Sequence, residues 1–363
     1  MENNSIINCH VHTFNRAIVP ANFLPFWLRP FAGYLESFDK SQRLRELLEK
    51  FGKHELSLLV KKYHSFLKLG DFNSQRDIFL QLQTIYPQGT KFSILSMDME
   101  FMQAGKVKQS FMEQLGELAA LKKEFPETVL PFVFVHPERK NIFDIVRFCI
   151  EEKGFAGIKL YPPLGYYPFD KRLDRVYAYA EQNRLPITTH CARGGIYYKG
   201  KITKDMLVHP LTGERFDKKK NKFFTDIYTD PANYNYVLER FPNLKLNLAH
   251  FGGAEEWENF LLTSIPEEEG TSWYEKICSL LKKYPNVYSD ISYTLYRSDL
   301  MLLLKFTLAN EGLRKKILYG SDFYMVEQET TERQFYMNLR TSLNEERFKQ
   351  IAVTNPNNFL FKE

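Results

Sequence analysis

"SIINCHVHTF" (residues 5–14) sets a short apolar run against two histidines, His10 and His12, one residue apart. The chain has only 8 histidines, so the pairing asks for a physical reason. In an extended strand, residues i and i+2 share a face. His10 and His12 are then expected on one side, with Cys9 and Val11 turned out toward whatever covers the strand.

Seven further apolar runs follow, most of them closing on polar or ionisable residues. They are "KFSILSMD" (91–98), "VLPFVFVH" (129–136), "FAGIKLYP" (155–162), "LPITTHC" (185–191), "LKLNLAHF" (244–251), "NVYSDISY" (286–293) and "KILYGSDF" (316–323). Amphipathic stretches such as "QSFMEQLGELAALKKEF" (109–125) and "DRVYAYAEQNR" (174–184) separate them. Strands alternating with helices pair in parallel, and eight such units predict a closed (β/α)8 TIM barrel. "TDPANYNYVLERF" predicts Asp230 as a helix N-cap with Pro231 at the first helical position. Pro-Asn in "RFPNLKL" and "KYPNVYS" marks the return from helix to strand.

Two spacings are longer than a barrel needs. Residues 14–90 hold the helical patterns "SQRLRELLEKF" (41–51), "HELSLLVKKYHSFLKL" (54–69) and "SQRDIFLQLQTIY" (74–86), a helical insertion after strand 1. Residues 192–228, rich in Gly and Lys, form a basic loop insertion after strand 5. Both follow strand ends, so both are expected on the catalytic face as lids or walls. One domain over 1–363 is the reading, with a separate helical domain at 14–90 as the alternative.

With 44% hydrophobic and 15% aromatic residues the chain can bury a large core. A net charge of +5, with no basic stripe interleaved with aromatics, argues against nucleic acid. Cys9, Cys149, Cys191 and Cys278 are scattered without a CxxC pair, which suits reduced thiols in the cytoplasm. "MENNSIIN" lacks the features of a signal peptide. "LMLLLKFTLA" (300–309) is too short to span a bilayer and reads as a buried helix. The expectation is a cytoplasmic protein that acts on a small molecule and needs no membrane, an expectation compatible with a homo-oligomer.

The strand ends of a parallel barrel converge at one mouth. His10 and His12 close the first run, Lys159 lies in the fourth, and His190, His250 and Asp322 lie near the ends of the fifth, sixth and eighth. Each has a plainer reading: a lone strand-end histidine is more often a structural hydrogen bonder, Lys159 could snorkel outward, and Asp322 could cap a helix. Taken jointly they suit a borderline divalent cation such as Zn2+.

"HVH", "GIKLYPP", "ITTHC", "NLAHFGG" and "LYGSDF", in that order, together resemble the amidohydrolase superfamily. The similarity is greatest to its amidohydrolase-related (amidohydrolase 2-like) branch of metal-dependent hydrolases, decarboxylases and hydratases, and it spans the first strand to the eighth. The resemblance implies that His10, His12, His190 and Asp322 bind the metal, with Asp322 also deprotonating a bound water whose pKa falls to about 7. It leaves His250 to polarise a substrate carbonyl or to act as acid/base. In binuclear members a carboxylated lysine of the fourth strand bridges two ions. Lys159 could fill that place or contact substrate, and one ion is favoured. The activity implied is hydrolysis of an amide, ester or lactone in a small, carboxylated molecule, with a non-oxidative decarboxylase or hydratase as the alternative. A barrel without catalysis is disfavoured because no expected ligand is missing.

Substrate signals are fainter. Arg193, three residues past His190, could clamp a carboxylate. The basic residues around it in sequence (Lys199, Lys201, Lys204, Arg215, Lys218, Lys219, Lys220, Lys222) could steer an anion or simply face water. Tyr161, Tyr166 and Tyr167 could line a pocket or pack under the loop. His136 could reach the mouth, and Asp290 could serve as a hydrogen-bonding partner for a histidine; neither is expected to be catalytic.

Overall fold

Each apolar run becomes a parallel strand in a computed structural model that describes residues 5–24, 38–70, 72–217, 220–263 and 272–361. The strands are β1 (Ile7–Val11), β2 (Lys91–Leu95), β3 (Val129–Val135), β4 (Gly157–Leu160), β5 (Pro186–Ala192), β6 (Lys245–Gly252), β7 (Val287–Asp290) and β8 (Ile317–Leu318). They pair in sequence order within one 8-stranded sheet. The last strand returns to the first: Cys9 N donates to Tyr319 O at 2.9 Å, and Asp322 N donates to His10 O at 2.8 Å. The result is the predicted (β/α)8 barrel.

Register decides what fills the barrel. Leu95 pairs with Phe132, Lys159 with Thr188, Thr188 with Asn247, Asn247 with Tyr288, and Asp290 with Leu318, so these side chains share the inner face. The lower interior is apolar: Ile7, Cys9, Leu130, Phe132 and Leu318 pack with Phe359 and Leu360 of the C-terminal helix Asn355–Leu360. Phe132 fits because β4 offers Gly157, where an added Cβ would stand 2.5 Å from its ring. Above that layer the interior turns polar, with Lys159, Thr188, Asn247 and Asp290 all fully buried. The opposite faces of the strands carry Phe92, Ile94, Val129 and Ile158 into the apolar layer beneath the helices.

The expectation that Cys9 faces the helices is overturned. Asn8 pairs with Phe92 and Val11 with Ile94, so three steps on β1 match two on β2. This bulge breaks the alternation. Cys9 and His10 both turn inward, while Asn8 reaches out to Tyr86 and Val11 joins the outer core. His12 resumes the inner face beyond Val11.

Between β1 and β2 run helices Phe38–Lys50, His54–Gly70 and Gln75–Gln83, the last capped by Ser74, whose side chain accepts from Asp77 N. Segment 192–228 is more ordered than a loop. It holds a 3-10 turn, Asp205–Leu207, and most of helix Asn221–Thr229. Lys218 and Lys219 lie outside the described residues. The two insertions touch where Lys199 Nζ donates to Phe23 O at 2.6 Å, and Lys199 N donates to Met102 O at 2.8 Å in the segment after β2.

Two smaller expectations need correcting. Helix Asn233–Leu238 starts later than predicted, because Asp230 accepts from Ala232 N in a turn that precedes it and also pairs with Lys276. Helix Met301–Ala309 is buried on one side only; Leu302 is 76% and Phe306 69% exposed. No helix among the described residues is long and apolar enough to cross a membrane.

One buried acid outside the mouth sets a pH dependence. Burial pushes the Glu332 carboxyl up from 4.5 to about 7, although Tyr86 donates a hydrogen bond to it. A raised folded pKa contributes stability that is complete below the unfolded value and is lost as pH rises through about 7. Wild type should therefore gain about 2.5 kcal/mol relative to Glu332→Gln between pH 8 and pH 5, read by urea denaturation at both values. A constant difference would contradict this.

Candidate metal centre

The polar inner layer rises into a mouth where donors collect. Among the described residues, His10, His250 and Asp322 place one potential ligand atom each within 4.8 Å of the others. His12 stands beside this set, its ring centroid 5.4 Å from that of His10; His190 lies 4.7 Å from His250 on the other side. Lys159 is fully buried on the inner face of β4, level with Thr188 of β5, and the charges of Asp290 and Asp322 act on it. The strand ends predicted to converge do so.

The hydrogen bonds fix which nitrogens are available. His12 Nδ1 donates to Leu95 O at 2.7 Å. His10 Nδ1 lies 3.1 Å from Asp290 Oδ2, an acceptor. Ser292 spends its single hydroxyl proton on Asp290 Oδ1, so His250 Nδ1 must donate to Ser292, at 3.1 Å to O and 2.9 Å to Oγ. In all three rings these acceptors place a proton on Nδ1, which points Nε2 toward the mouth as the atom available to a metal. Metal-binding histidines are commonly held this way.

Asp290 organises the group. Besides His10 it accepts from Asn247 Nδ2 at 2.7 Å, and from the backbone N–H of His250 and of Ser292 at 3.1 Å each. Burial by itself would raise its carboxyl, but His10, His250 and Ser292 hold it well below the usual carboxylate range. It therefore stays ionised, anchors the His10 imidazole directly, and holds His250 through its backbone N–H and through Ser292, which bonds the ring. The sequence offered it only as a candidate partner; its place at the end of β7 was the signal.

Among the described residues, orphaned polar atoms gather at the mouth and just beneath it: His10 Nε2, both nitrogens of His190, Lys159 Nζ, Asp322 Oδ1 and Asn247 Oδ1 have no hydrogen-bond partner. Unpaired buried polar atoms are costly. Their convergence at one place, with lone pairs and a carboxylate oxygen among them, fits a divalent cation. Burial lowers the pKa of His250 to about 3, and also drives those of His12 and His190 down, so the rings stay neutral and able to ligate. Burial likewise lowers Lys159 from 10.5 to about 8, against the pull of Asp290 and Asp322. It raises Asp322, while His10 and Lys159 oppose the rise.

Backbone strain concentrates here. His250 and Asp322 hold φ of 68° and 57°. Non-glycine residues rarely adopt such angles, and they cluster where surrounding structure holds a functional geometry. Gly320 supplies the other constraint, because a Cβ there would come within 2.8 Å of His10 Cβ and 3.2 Å of Ser292 Cβ. Gly320→Ala should push β8 from β1, destabilise by about 1–3 kcal/mol and weaken metal uptake, as read by melting with and without added Zn2+. An unchanged melting point and uptake would contradict this.

The remaining candidates divide. Tyr161 lies against the site, its ring 4.5 Å from that of His190 and its hydroxyl accepting from Ile196 N. Tyr166 is structural, donating to Val135 O and accepting from Tyr161 N, while Tyr167 packs on Phe169 and Tyr228. His136 stacks on Phe101 at 3.7 Å and bonds through both nitrogens to Leu164 O and Glu138 N. Arg193 is committed to Glu256 Oε1 at 2.5 Å and Asp226 at 3.5 Å and lies over the Trp273 ring. That arrangement ties the segment after β5 to the one after β6.

The chain matches the amidohydrolase family over residues 87–362, from just before β2 to its end. It belongs to that family and is an enzyme of it. The match does not include β1, so the placement of His10 and His12 rests on the barrel geometry above. No curated protein matches. Solved structures resemble the whole fold at low identity. A 5-carboxyvanillate decarboxylase from Novosphingobium aromaticivorans, with bound manganese, is 12% identical over 98% of this chain and 97% of its own, with a TM-score of 0.57. A 4-oxalomesaconate hydratase from Rhodopseudomonas palustris is 16% identical over 98% and 96%, at 0.52. An uncharacterized TIM-barrel protein from Bordetella bronchiseptica is 15% identical over 99% of each chain, at 0.53.

Proposed function

We propose that the protein is a metal-dependent hydrolase opening an amide, ester or lactone bond in a small carboxylated molecule. The observation that carries this is the group of orphaned, buried donors at the barrel mouth: His10 Nε2, His190 and Asp322 Oδ1. His10, His12, His190 and Asp322 would hold one divalent ion, with Zn2+ the first candidate. A bound divalent ion there would supply Lewis acidity and an acidified water.

The chain's own groups then divide the work. Asp322, whose carboxyl burial raises above its ordinary value, accepts the proton of the attacking water at its free Oδ1. Its backbone N–H, bonded to His10 O, fixes that carboxylate relative to β1. His250 presents a lone pair at Nε2, so it acts as a proton acceptor or a further ligand rather than as a donor that polarises a carbonyl. Lys159, an unpaired buried cation, is the better candidate for a substrate carboxylate, since Arg193 is already paired with Glu256. The two insertions, joined through Lys199 and Phe23, would wall the mouth and limit water.

Two measurements separate the roles. His250→Ala is expected to lose turnover while keeping most of its metal; loss of the metal would instead make His250 a ligand. Lys159→Met is expected to raise KM for an acidic substrate about tenfold or more, the cost of a charge-assisted contact. An unchanged KM would remove Lys159 from substrate binding, and two ions per chain with a carbon dioxide adduct on Lys159 would make it a bridging ligand.

A second reading is supported by the names of the solved relatives, a decarboxylase and a hydratase of unsaturated or aromatic acids. Here protonated Lys159 would deliver a proton to the carbon that keeps the electron pair when carbon dioxide leaves, or to the carbon next to the one that takes up water. A substrate panel decides: ring opening of lactones or cleavage of amides supports the hydrolase, and carbon dioxide release from aromatic or unsaturated acids supports the alternative.

A further inference from the structure

The bulge in β1 leaves Asn8 facing away from the mouth, yet Asn8 touches both sides of the seam that closes the barrel. Its Oδ1 accepts from His10 N at 3.2 Å on β1 and from Ser321 N at 3.1 Å beside Asp322. Its Nδ2 donates to Ser321 Oγ at 2.8 Å and to Tyr86 OH at 3.1 Å. One amide thus spans residues 313 positions apart and bonds the chain next to two proposed ligands.

The amide does not hold its own orientation; a buried relay does. Tyr86 OH donates to the Glu332 carboxyl. With its proton spent there, it can only accept from Asn8 Nδ2 and from Tyr319 OH, the latter at 2.6 Å. An Asn flipped by 180° would set its oxygen against Tyr86 and its N–H groups against two backbone donors. Asn8, Tyr86, Tyr319 and Glu332 are all buried, so no water is at hand to rescue a wrong orientation.

We propose that Asn8, oriented from outside the barrel by Tyr86 and Glu332, is a positioning residue that sets the spacing of His10 and Asp322 for the metal. The assignment rests on the metal reading above. Asn8 touches neither the metal donors' side chains nor the mouth, and it acts through the backbone of β1 and of the segment after β8.

The test compares wild type, Asn8→Ala and Tyr86→Phe, each stripped of metal and then titrated with Zn2+ against a chromophoric chelator. The visible spectrum of the Co2+-loaded forms is recorded alongside. Asn8→Ala is expected to bind Zn2+ about 10–100-fold more weakly and to change the Co2+ spectrum, the usual scale for losing an outer hydrogen-bond partner. Tyr86→Phe, which removes one hydroxyl far from the metal, should shift both readouts in the same direction by less. Should Asn8→Ala not fold, Tyr86→Phe decides alone. A merely structural role would lower the melting point of the metal-free variants and leave affinity and spectrum as in wild type; that result overturns the proposal. Failure of wild type to bind Zn2+ or Co2+ at all would instead overturn the metal reading itself.

Discussion

Asp322→Asn is expected to lower turnover by about 10³-fold, the loss that follows removal of a positioned general base. Asn keeps the shape and one carbonyl oxygen, so the strained backbone at φ 57° and the bond from Asp322 N to His10 O should survive. What it loses is a proton acceptor at the free Oδ1. The comparison requires kcat at saturating substrate in samples matched for metal content. A variant within tenfold of wild type would show that the proton goes elsewhere, with His250 the next candidate.

The second large effect concerns stability. Asp290→Ala would leave His10 Nδ1, Asn247 Nδ2 and the backbone N–H groups of His250 and Ser292 buried without their acceptor. Breaking a buried charged network of this kind costs about 3–5 kcal/mol. Urea denaturation should show that loss, and metal affinity should fall with it because two imidazoles lose their orientation. The sign with pH follows from a carboxyl held below its ordinary 3.8. Its contribution is present above that value and is lost only as pH falls beneath it, so the gap between wild type and variant should be constant from pH 5 to 8. A gap that closes within that range, or a loss under about 1 kcal/mol, would contradict the role given to Asp290.

The barrel was legible because its strands announce themselves twice, by apolar runs and by the ionisable residues on which they close. "NLAHF" and "LYGSDF" each contribute one polar group to the mouth whatever the details of packing. The inward face of β1 was less legible. Alternation predicts the side for His10 and His12, but a bulge adds a residue without changing composition, so alternation alone puts Cys9 on the wrong face. Hydrogen bonds over long separations were not legible at all. Asn8 lies next to "CHVH" and looks like any polar strand residue until Tyr86, Ser321 and Glu332 are brought to it. Arg193 shows the converse. Its place after His190 suggested a substrate clamp, but Glu256, on the helix after β6, already holds it.

A divalent cation held by the orphaned donors at the barrel mouth is what the proposed chemistry requires. Elemental analysis of protein prepared without chelators, alongside His10→Ala, tests it most directly. About one equivalent of a divalent metal is expected in wild type and little in His10→Ala, since His10 Nε2 is proposed as one of four ligands. Wild type without metal above background, or a His10→Ala protein that retains its full complement, would contradict it.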